Sequence, residues 1–337
     1  MNAVARLRPP PALVAIVFAV VIGGTLVLVS GANPIQAYAA IVGGALAPDN
    51  LPNTLNWATP LVGMTLAAAI PLRGGMINLG GDGQMVVGGL VGATASLLLP
   101  APGPLAATLA LIAAMVAGGL YAALAAWGQI RFAIPMLISS LLLSYTAVGI
   151  VSYLVRFPLR DTTTGLPQTA LVPVAARLPT LVGPVNAGML VIAAVAALVI
   201  VIDRRAVIGY ELRMRGLNAR FAGYGGVRLD QQALGAMFAS GAIAGLVGAI
   251  VVLGGQFRFI DGALLTPAYT WSGLMAALLA GGEPVGAIAA GLFFAALQTG
   301  GFAMQRETSV PRVLTLVLQA IVILFLAMRH GLGKRSS

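Results

Sequence analysis

Apolar residues run in long stretches along most of this chain, and polar residues gather in a few short segments between them. A helix that crosses about 30 Å of hydrocarbon needs roughly 20 apolar residues. On that measure the pattern predicts spans at 12–30, 54–72, 84–99, 105–129, 134–155, 185–202, 232–253, 269–280, 285–300 and 312–328. The predicted fold class is an all-α integral membrane protein with about ten transmembrane helices. The first span exceeds the roughly 7–15-residue apolar region of a signal peptide, so it reads as an uncleaved anchor. Residues 33–53 are mixed and contain prolines, which predicts a periplasmic segment with a short interfacial helix over 35–46. Proline and glycine punctuate the chain at Pro100-Ala101-Pro102-Gly103-Pro104 and at Gly281-Gly282-Glu283-Pro284, where turns are expected.

Two longer polar segments stand out, 156–184 and 203–231, and the second carries six arginines. It divides the ten predicted spans five and five, which hints at a duplication that sequence similarity is too weak to establish. The whole of 1–337 is read as one transmembrane domain. With the N-terminus inside, 13 basic residues fall in cytoplasmic segments and 6 outside, the asymmetry expected of a membrane protein. Both termini are therefore predicted to be cytoplasmic, with 156–184 outside and 203–231 inside.

Composition agrees with this pattern. Hydrophobic residues make up 59% and charged residues 8%, against roughly 25% charged in a soluble domain. So few polar side chains cannot dress a globule for water, and lipid must solvate most of the surface. The 43 glycines and 20 prolines fit membrane helices. Because the chain has no cysteine, disulfides and thiolate metal sites are excluded. The net charge of +10 is not read as a nucleic-acid signal, because the basic residues lie between apolar spans, where orientation demands them.

Catalytic chemistry is poorly supplied. No G-x-x-x-x-G-K-[ST] loop is present, and Gly333-Lys334-Arg335 lacks its spacing and its hydroxyl. The one histidine is His330, and nine acidic residues are scattered without a paired-aspartate magnesium site. These absences argue against an embedded enzyme and in favour of a protein that moves something, or helps to.

Three segments carry the functional expectation. In Gly216-Leu217-Asn218-Ala219-Arg220-Phe221-Ala222-Gly223-Tyr224-Gly225-Gly226, Asn218 is a natural N-cap and Gly225 a natural stop. Leu217, Phe221 and Tyr224 follow helical spacing on one face, with Arg213, Arg215 and Arg220 around them. So short a helix needs a partner. The residues alone allow a groove on a soluble subunit or the lipid headgroups. In Arg73-Gly74-Gly75-Met76-Ile77-Asn78-Leu79-Gly80-Gly81-Asp82-Gly83-Gln84, five glycines within ten residues disfavour a continuous helix. Asn78, Asp82 and Gln84 must face protein or a water-filled path; Asp82 is also expected to cap the next helix and pair with a neighbour. Finally, Gly241, Gly245 and Ala249 form a small-xxx-small stripe read as helix packing.

Asn78-Leu79-Gly80-Gly81-Asp82-Gly83-Gln84-Met85 resembles the N-I-G-x-E-G-Q stretch of permease subunits of ABC importers for nucleosides and related simple sugars. Ile138-Ser139-Ser140-Leu141-Leu142-Leu143-Ser144-Tyr145 and Val151-Ser152-Tyr153-Leu154-Val155-Arg156-Phe157-Pro158-Leu159-Arg160-Asp161 are similar to that family's fifth span and its exit. Residues 216–227, 257–263 and 274–286 extend the likeness over nearly the whole chain after the first helix. Asp82 stands where the family usually has Glu, Ser144 where Asn is common, and Ile134-Pro135-Met136 is unlike the usual start of its span.

The resemblance implies the larger of two paired permeases in the bacterial inner membrane, working with a second, shorter permease, an ABC ATPase and an external binding lipoprotein. It implies no cofactor on this chain; ATP and magnesium belong to the ATPase. Arg215, Asn218, Arg220, Phe221 and Tyr224 become the ATPase-coupling residues. Asn78, Asp82, Gln84, Trp57, Ser144, Trp271 and Gln298 become candidates for the translocation path. Arg156, Arg160, Arg258 and Asp261 become candidates for binding-protein docking. The mechanism expected is alternating access biased by ATP. The competing reading is a stand-alone ion-coupled carrier, which needs midplane carboxylates where only Asp82 is a candidate. A purely structural subunit is the other alternative.

Overall fold

The structure, a computed structural model, describes residues 11–99, 102, 104–308, 310, 311, 314 and 317. The chain divides into two compact units, one made of Met1–Trp57 with Phe293–Ser337 and the other of Ala58–Leu292.

In the first unit, α1 (Pro11–Val29) is followed across a 120° bend by α2 (Pro34–Leu46). Asn33 starts α2 by accepting from the Ile35 N–H at 2.9 Å, and Pro34 supplies a φ already suited to a helix start. The short helix expected over 35–46 is therefore present. Its buried Ala37 and Ile41 pack with Val27 of α1 and Met304 of α12 (Pro284–Thr308). The Tyr38 hydroxyl donates to the Val20 carbonyl at 2.6 Å, tying α2 back on α1.

The second unit holds most of α3 (Leu51–Arg73), then α4 (Gly81–Leu98), α5 (Pro104–Phe132) and α6 (Met136–Arg156). After an irregular segment over 157–187 come α7 (Gly188–Arg205), α8 (Val207–Leu217), α9 (Ala219–Tyr224), α10 (Leu229–Val251) and α11 (Tyr269–Leu279). At its centre α10 lies against both α4 and α5. The glycine stripe makes this possible: Gly245 sits directly on Gly88 of α4 and Gly118 of α5, and Gly241 on Gly118 and Ala122, with no room for a Cβ. The stripe predicted for packing thus serves two partners.

Among the described residues five helices are long and apolar enough to cross a membrane, α3, α5, α6, residues Leu229–Gln256 and α12, or six if the bent α1–α2 pair is one span. Three predicted spans read differently. The one at 84–99 is α4, whose first turns carry Asp82 and Gln84 among glycines. The one at 185–202 is α7, which closes on Asp203, Arg204 and Arg205. The one at 269–280 is α11, only 11 residues long, about 16 Å at 1.5 Å per residue and half of what the hydrocarbon requires. The chain turns before it, through a π-helical turn at Val252–Gln256, left-handed Phe257 (φ 53°) and left-handed Ala268 (φ 54°). Most of the predicted span 312–328 and most of the proline turn at 100–104 lie outside the described residues. The all-α expectation also missed a small hairpin in that irregular segment, β1 (Thr180–Val182) against β2 (Val185–Asn186).

Candidate functional site

The 203–231 loop is almost entirely helical. Asn218 separates α8 from α9: its backbone is extended (φ −159°, ψ 102°) and its side chain accepts from the Phe221 N–H at 3.0 Å. The predicted helix is present, with one correction. Leu217 closes α8, so the face on α9 is made by Phe221 and Tyr224 alone. Gly225 caps the C-terminus of α9 as expected, with the left-handed turn following at Gly226 (φ 90°). Phe221 and Tyr224 are 62% and 93% exposed, and Arg220 stands exposed beside them.

The flanks of α9 are tied down. The half-buried Arg215 donates to the Leu229 carbonyl at 2.6 Å, joining the end of α8 to the start of α10; burial pulls its guanidinium below the usual arginine range, and Asp230 partly offsets this. Behind α8 lies a buried carboxylate that sequence reasoning missed, Asp203 at the end of α7. It accepts from Arg73 Nε at 3.2 Å and from Arg213 Nη1 at 3.2 Å, and Arg213 also reaches the Asp203 carbonyl. Arg204 lies 3.9 Å from Glu283 in the turn before α12. Gly216 packs on the Arg73 carbonyl, so the last turn of α8 touches the end of α3.

From Arg73 the chain passes through left-handed Gly75 into residues 78–84. Asn78 and Gln84 are both buried and exchange a reciprocal amide pair, Asn78 Nδ2 to Gln84 Oε1 at 2.9 Å and Gln84 Nε2 to Asn78 Oδ1 at 3.1 Å. Asn78 also donates to Ser240 Oγ of α10 at 2.9 Å, and Ser240 donates to the Ala67 carbonyl of α3 at 2.6 Å. Ser140 and Ser144 of α6 accept from the Leu79 and Gly83 N–H groups at 3.1 and 2.8 Å, satisfying one donor just ahead of α4 and one in its first turn. A cavity of about 10 Å³ lies among Asn78, Gln84, Ser240 and Thr270, no larger than one water molecule. In this conformation four helices are locked together here. Asp82 lies in the first turn of α4 and does not cap it, because Gly80 holds the N-cap position. Its carboxylate faces the side chains of Thr270 and Trp271 on α11, and one of its oxygens has no hydrogen-bond partner. Trp271 itself is 43% exposed. Ser140 and Ser240 escaped notice because serines are unremarkable in apolar helices until their partners are known.

On the opposite segment, residues 157–187 are sewn to 253–261 by backbone bonds. Thr169 N–H donates to the Phe259 carbonyl at 2.9 Å, Val172 N–H to Phe257 at 2.8 Å and Leu178 N–H to Leu253 at 3.0 Å. The Thr169 hydroxyl accepts from the Phe259 N–H at 3.0 Å, and Arg177 lies over the Phe257 ring at 4.8 Å. Of the docking candidates, Arg156 and Asp261 bind each other at 2.8 Å with Ser152 beside them, Arg160 donates to the Gly165 carbonyl, and Arg258 is half-buried. The Thr163 hydroxyl and N–H hold the neighbouring Asp161 carboxyl below the usual carboxylate range.

The remaining path candidates, Trp57 and Gln298, belong to the first unit. Trp57 pairs with Phe302 at 5.8 Å between ring centroids, and Gln298 is buried.

Residues 50–327 match the family described as the branched-chain amino acid transport system / permease component. A glucose ABC transporter permease protein of Haloferax volcanii is 32% identical over 91% of this chain and 84% of its own length. A guanosine ABC transporter permease protein of Bacillus subtilis is 28% identical over 95% of this chain and 93% of its own. A second guanosine permease protein of the same organism is 30% identical over 32% of this chain and 34% of its own. The chain belongs to this family of transport-system permease components, and it is a transport subunit, not an enzyme.

Proposed function

We propose that this chain is the permease subunit of an ATP-driven importer for nucleosides or related simple sugars, coupled to a separate ABC ATPase through α9. The observation that carries the reading is a capped six-residue helix, anchored at both flanks, that presents Phe221 and Tyr224 to solvent. A helix of that length does not persist alone in water, and two large exposed aromatics on an anchored platform fit a groove on a soluble partner. Family membership favours this partner over lipid headgroups and favours the importer over a stand-alone carrier.

Ten crossings with both termini in the cytoplasm complete the proposal, the short α11 crossing together with the non-helical residues 257–268 that lead into it, which places α9 inside and residues 156–184 outside. A second permease, as the two guanosine permease proteins of one organism suggest, and an external binding lipoprotein complete the assembly. Arg160 and Arg258 are the docking contacts proposed for that lipoprotein, with Arg156 and Asp261 shaping the surface between them. The Asn78–Gln84–Ser240 lock is the proposed gate, with Asp82, Ser144 and Trp271 around it; Trp57 and Gln298 are the path residues proposed in the first unit. ATP binding favours one of two states and so biases the gate. No cofactor is held by this chain.

The test is Phe221→Asp combined with Tyr224→Asp. Uptake of labelled nucleoside into cells is expected to fall to background, while the binding protein keeps its affinity. Wild-type uptake in the double variant would remove α9 from the coupling path.

A further inference from the structure

Within the first unit a cavity of about 560 Å³ opens between the start of α3 and the end of α12, a volume in the range of small-molecule sites. One wall is aromatic, formed by the tilted Trp57–Phe302 pair. Around it stand three side-chain amides, those of Asn50, Asn53 and Gln305, and one cation, Arg306. The described lining contains no carboxylate.

That wall is selective in a definite way. A primary amide donates and accepts, so three of them around one space suit a ligand carrying several hydroxyl or ring-nitrogen groups. An aromatic wall suits a flat or ring-shaped ligand with a π or C–H face. The guanidinium, with no carboxylate in the described lining, disfavours cations and tolerates neutral or anionic compounds. A fatty acyl chain would leave all four polar groups unpaired, at a cost for each.

We propose that this cavity binds the transported compound, a neutral or anionic ring bearing several hydroxyl groups, before it enters the membrane path. The inference rests on the importer reading above, including its orientation, which puts the start of α3 and the end of α12 on the outside. It adds Asn50, Asn53, Phe302, Gln305 and Arg306 to Trp57, the one path candidate that lies in this space.

The chain has no native cysteine, so single cysteines report cleanly. Asn53→Cys and Gln305→Cys, both at exposed positions, go into the full transporter in energy-depleted cells, with Thr162→Cys on the outer segment as control. Labelling by an anionic, membrane-impermeant methanethiosulfonate is timed with and without guanosine, glucose or decanoate. A probe at about ten times its dissociation constant occupies the site enough to slow labelling about tenfold. The expected result is that guanosine or glucose slows both cavity variants to about that extent, that decanoate slows neither, and that the control is unmoved. Equal rates with and without guanosine and glucose overturn the site, as does equal protection by decanoate. Labelling that occurs only when the chain is made without its partner subunits also overturns it, since the cavity is then a subunit interface. Uptake and recovery of the ATPase with the tagged chain are read in the same cells, so a failed cavity and a failed importer reading give separate signatures.

Discussion

The segment proposed as outer, 157–187, and the loop proposed as cytoplasmic, 203–231, are both polar stretches of the second unit between apolar helices, yet they are held by different forces. The outer segment is held by backbone, with Thr169, Val172 and Leu178 donating into residues 253–259 as strands do. Such bonds involve groups that must be paired wherever they are buried, so they fix one conformation. The cytoplasmic loop is held by side chains, chiefly the Asp203 carboxylate between Arg73 and Arg213 and the Arg215 bond to Leu229. Side-chain ties can exchange partners while the helices they join stay intact. A surface that receives a partner is well served by the first arrangement, and a lever that moves between two states by the second.

The largest effect that sharpens this comparison is expected at Asp203. Asp203→Ala leaves two guanidinium groups without their acceptor, each about a quarter to a third exposed. Hydrogen bonds to charged groups are worth about 1.5–3 kcal/mol each, and partial exposure discounts the pair. A loss of about 2–3 kcal/mol is expected, seen as a lower thermal midpoint in detergent. Uptake should fall more than the drop in folded protein explains, because α8 loses its register on α3 just ahead of α9. Unchanged uptake at normal expression would show that the cluster does not transmit motion.

The two regions were also unequally legible in the sequence. Helix α9 could be read because its signals are local: Asn218 before it, glycines after it, and two aromatics at helical spacing. The glycine stripe on α10 was legible for the same reason. Asp203 was not, because its partner Arg73 lies 130 residues away and only the fold brings them together. Helix α8 was read as loop because Glu211, Arg213 and Arg215 break its apolar pattern, although they decorate one helix. The span assigned at 269–280 shows a further limit. Apolar composition reports burial, in lipid or in protein, but not where the chain turns. Here the turns fall on Phe257 and Ala268, which carry no glycine signal for a left-handed backbone. Family-like motifs located the Asn78–Gln84 segment, but its lock onto Ser240 and α6 is a tertiary fact.

In the outer segment the informative change is Thr169→Val, which keeps the shape and removes the hydroxyl. The Phe259 N–H would then be buried without an acceptor, a penalty of about 1–3 kcal/mol. Because the fold holds this segment by backbone, the expected outcome is faster proteolysis across residues 157–187 in right-side-out vesicles, with uptake reduced in proportion to the cut fraction. A uniform loss of uptake without added cleavage would mean that the segment moves during transport, and the contrast with the cytoplasmic side would fail.

The smallest effect belongs to Arg156→Ala. Its ion pair with Asp261 is short, 2.8 Å, but the Arg156 side chain is 56% exposed, and exposed pairs contribute about 0–1 kcal/mol. Asp261 keeps the Ser152 hydroxyl as a donor at 2.8 Å, and its own N–H stays on the Pro167 carbonyl at 3.1 Å. The thermal midpoint should therefore move little, and the outer segment should resist protease as before. Raising salt should make variant and wild type still more alike, since screening weakens what the pair contributes. If Arg156→Ala instead lowers uptake at limiting binding protein while uptake at saturating binding protein is restored, the arginine acts through docking and not through stability. A large fall in the thermal midpoint would show that an exposed side-chain tie, and not the backbone seam, holds the outer segment together, and the two regions would then obey the same rule.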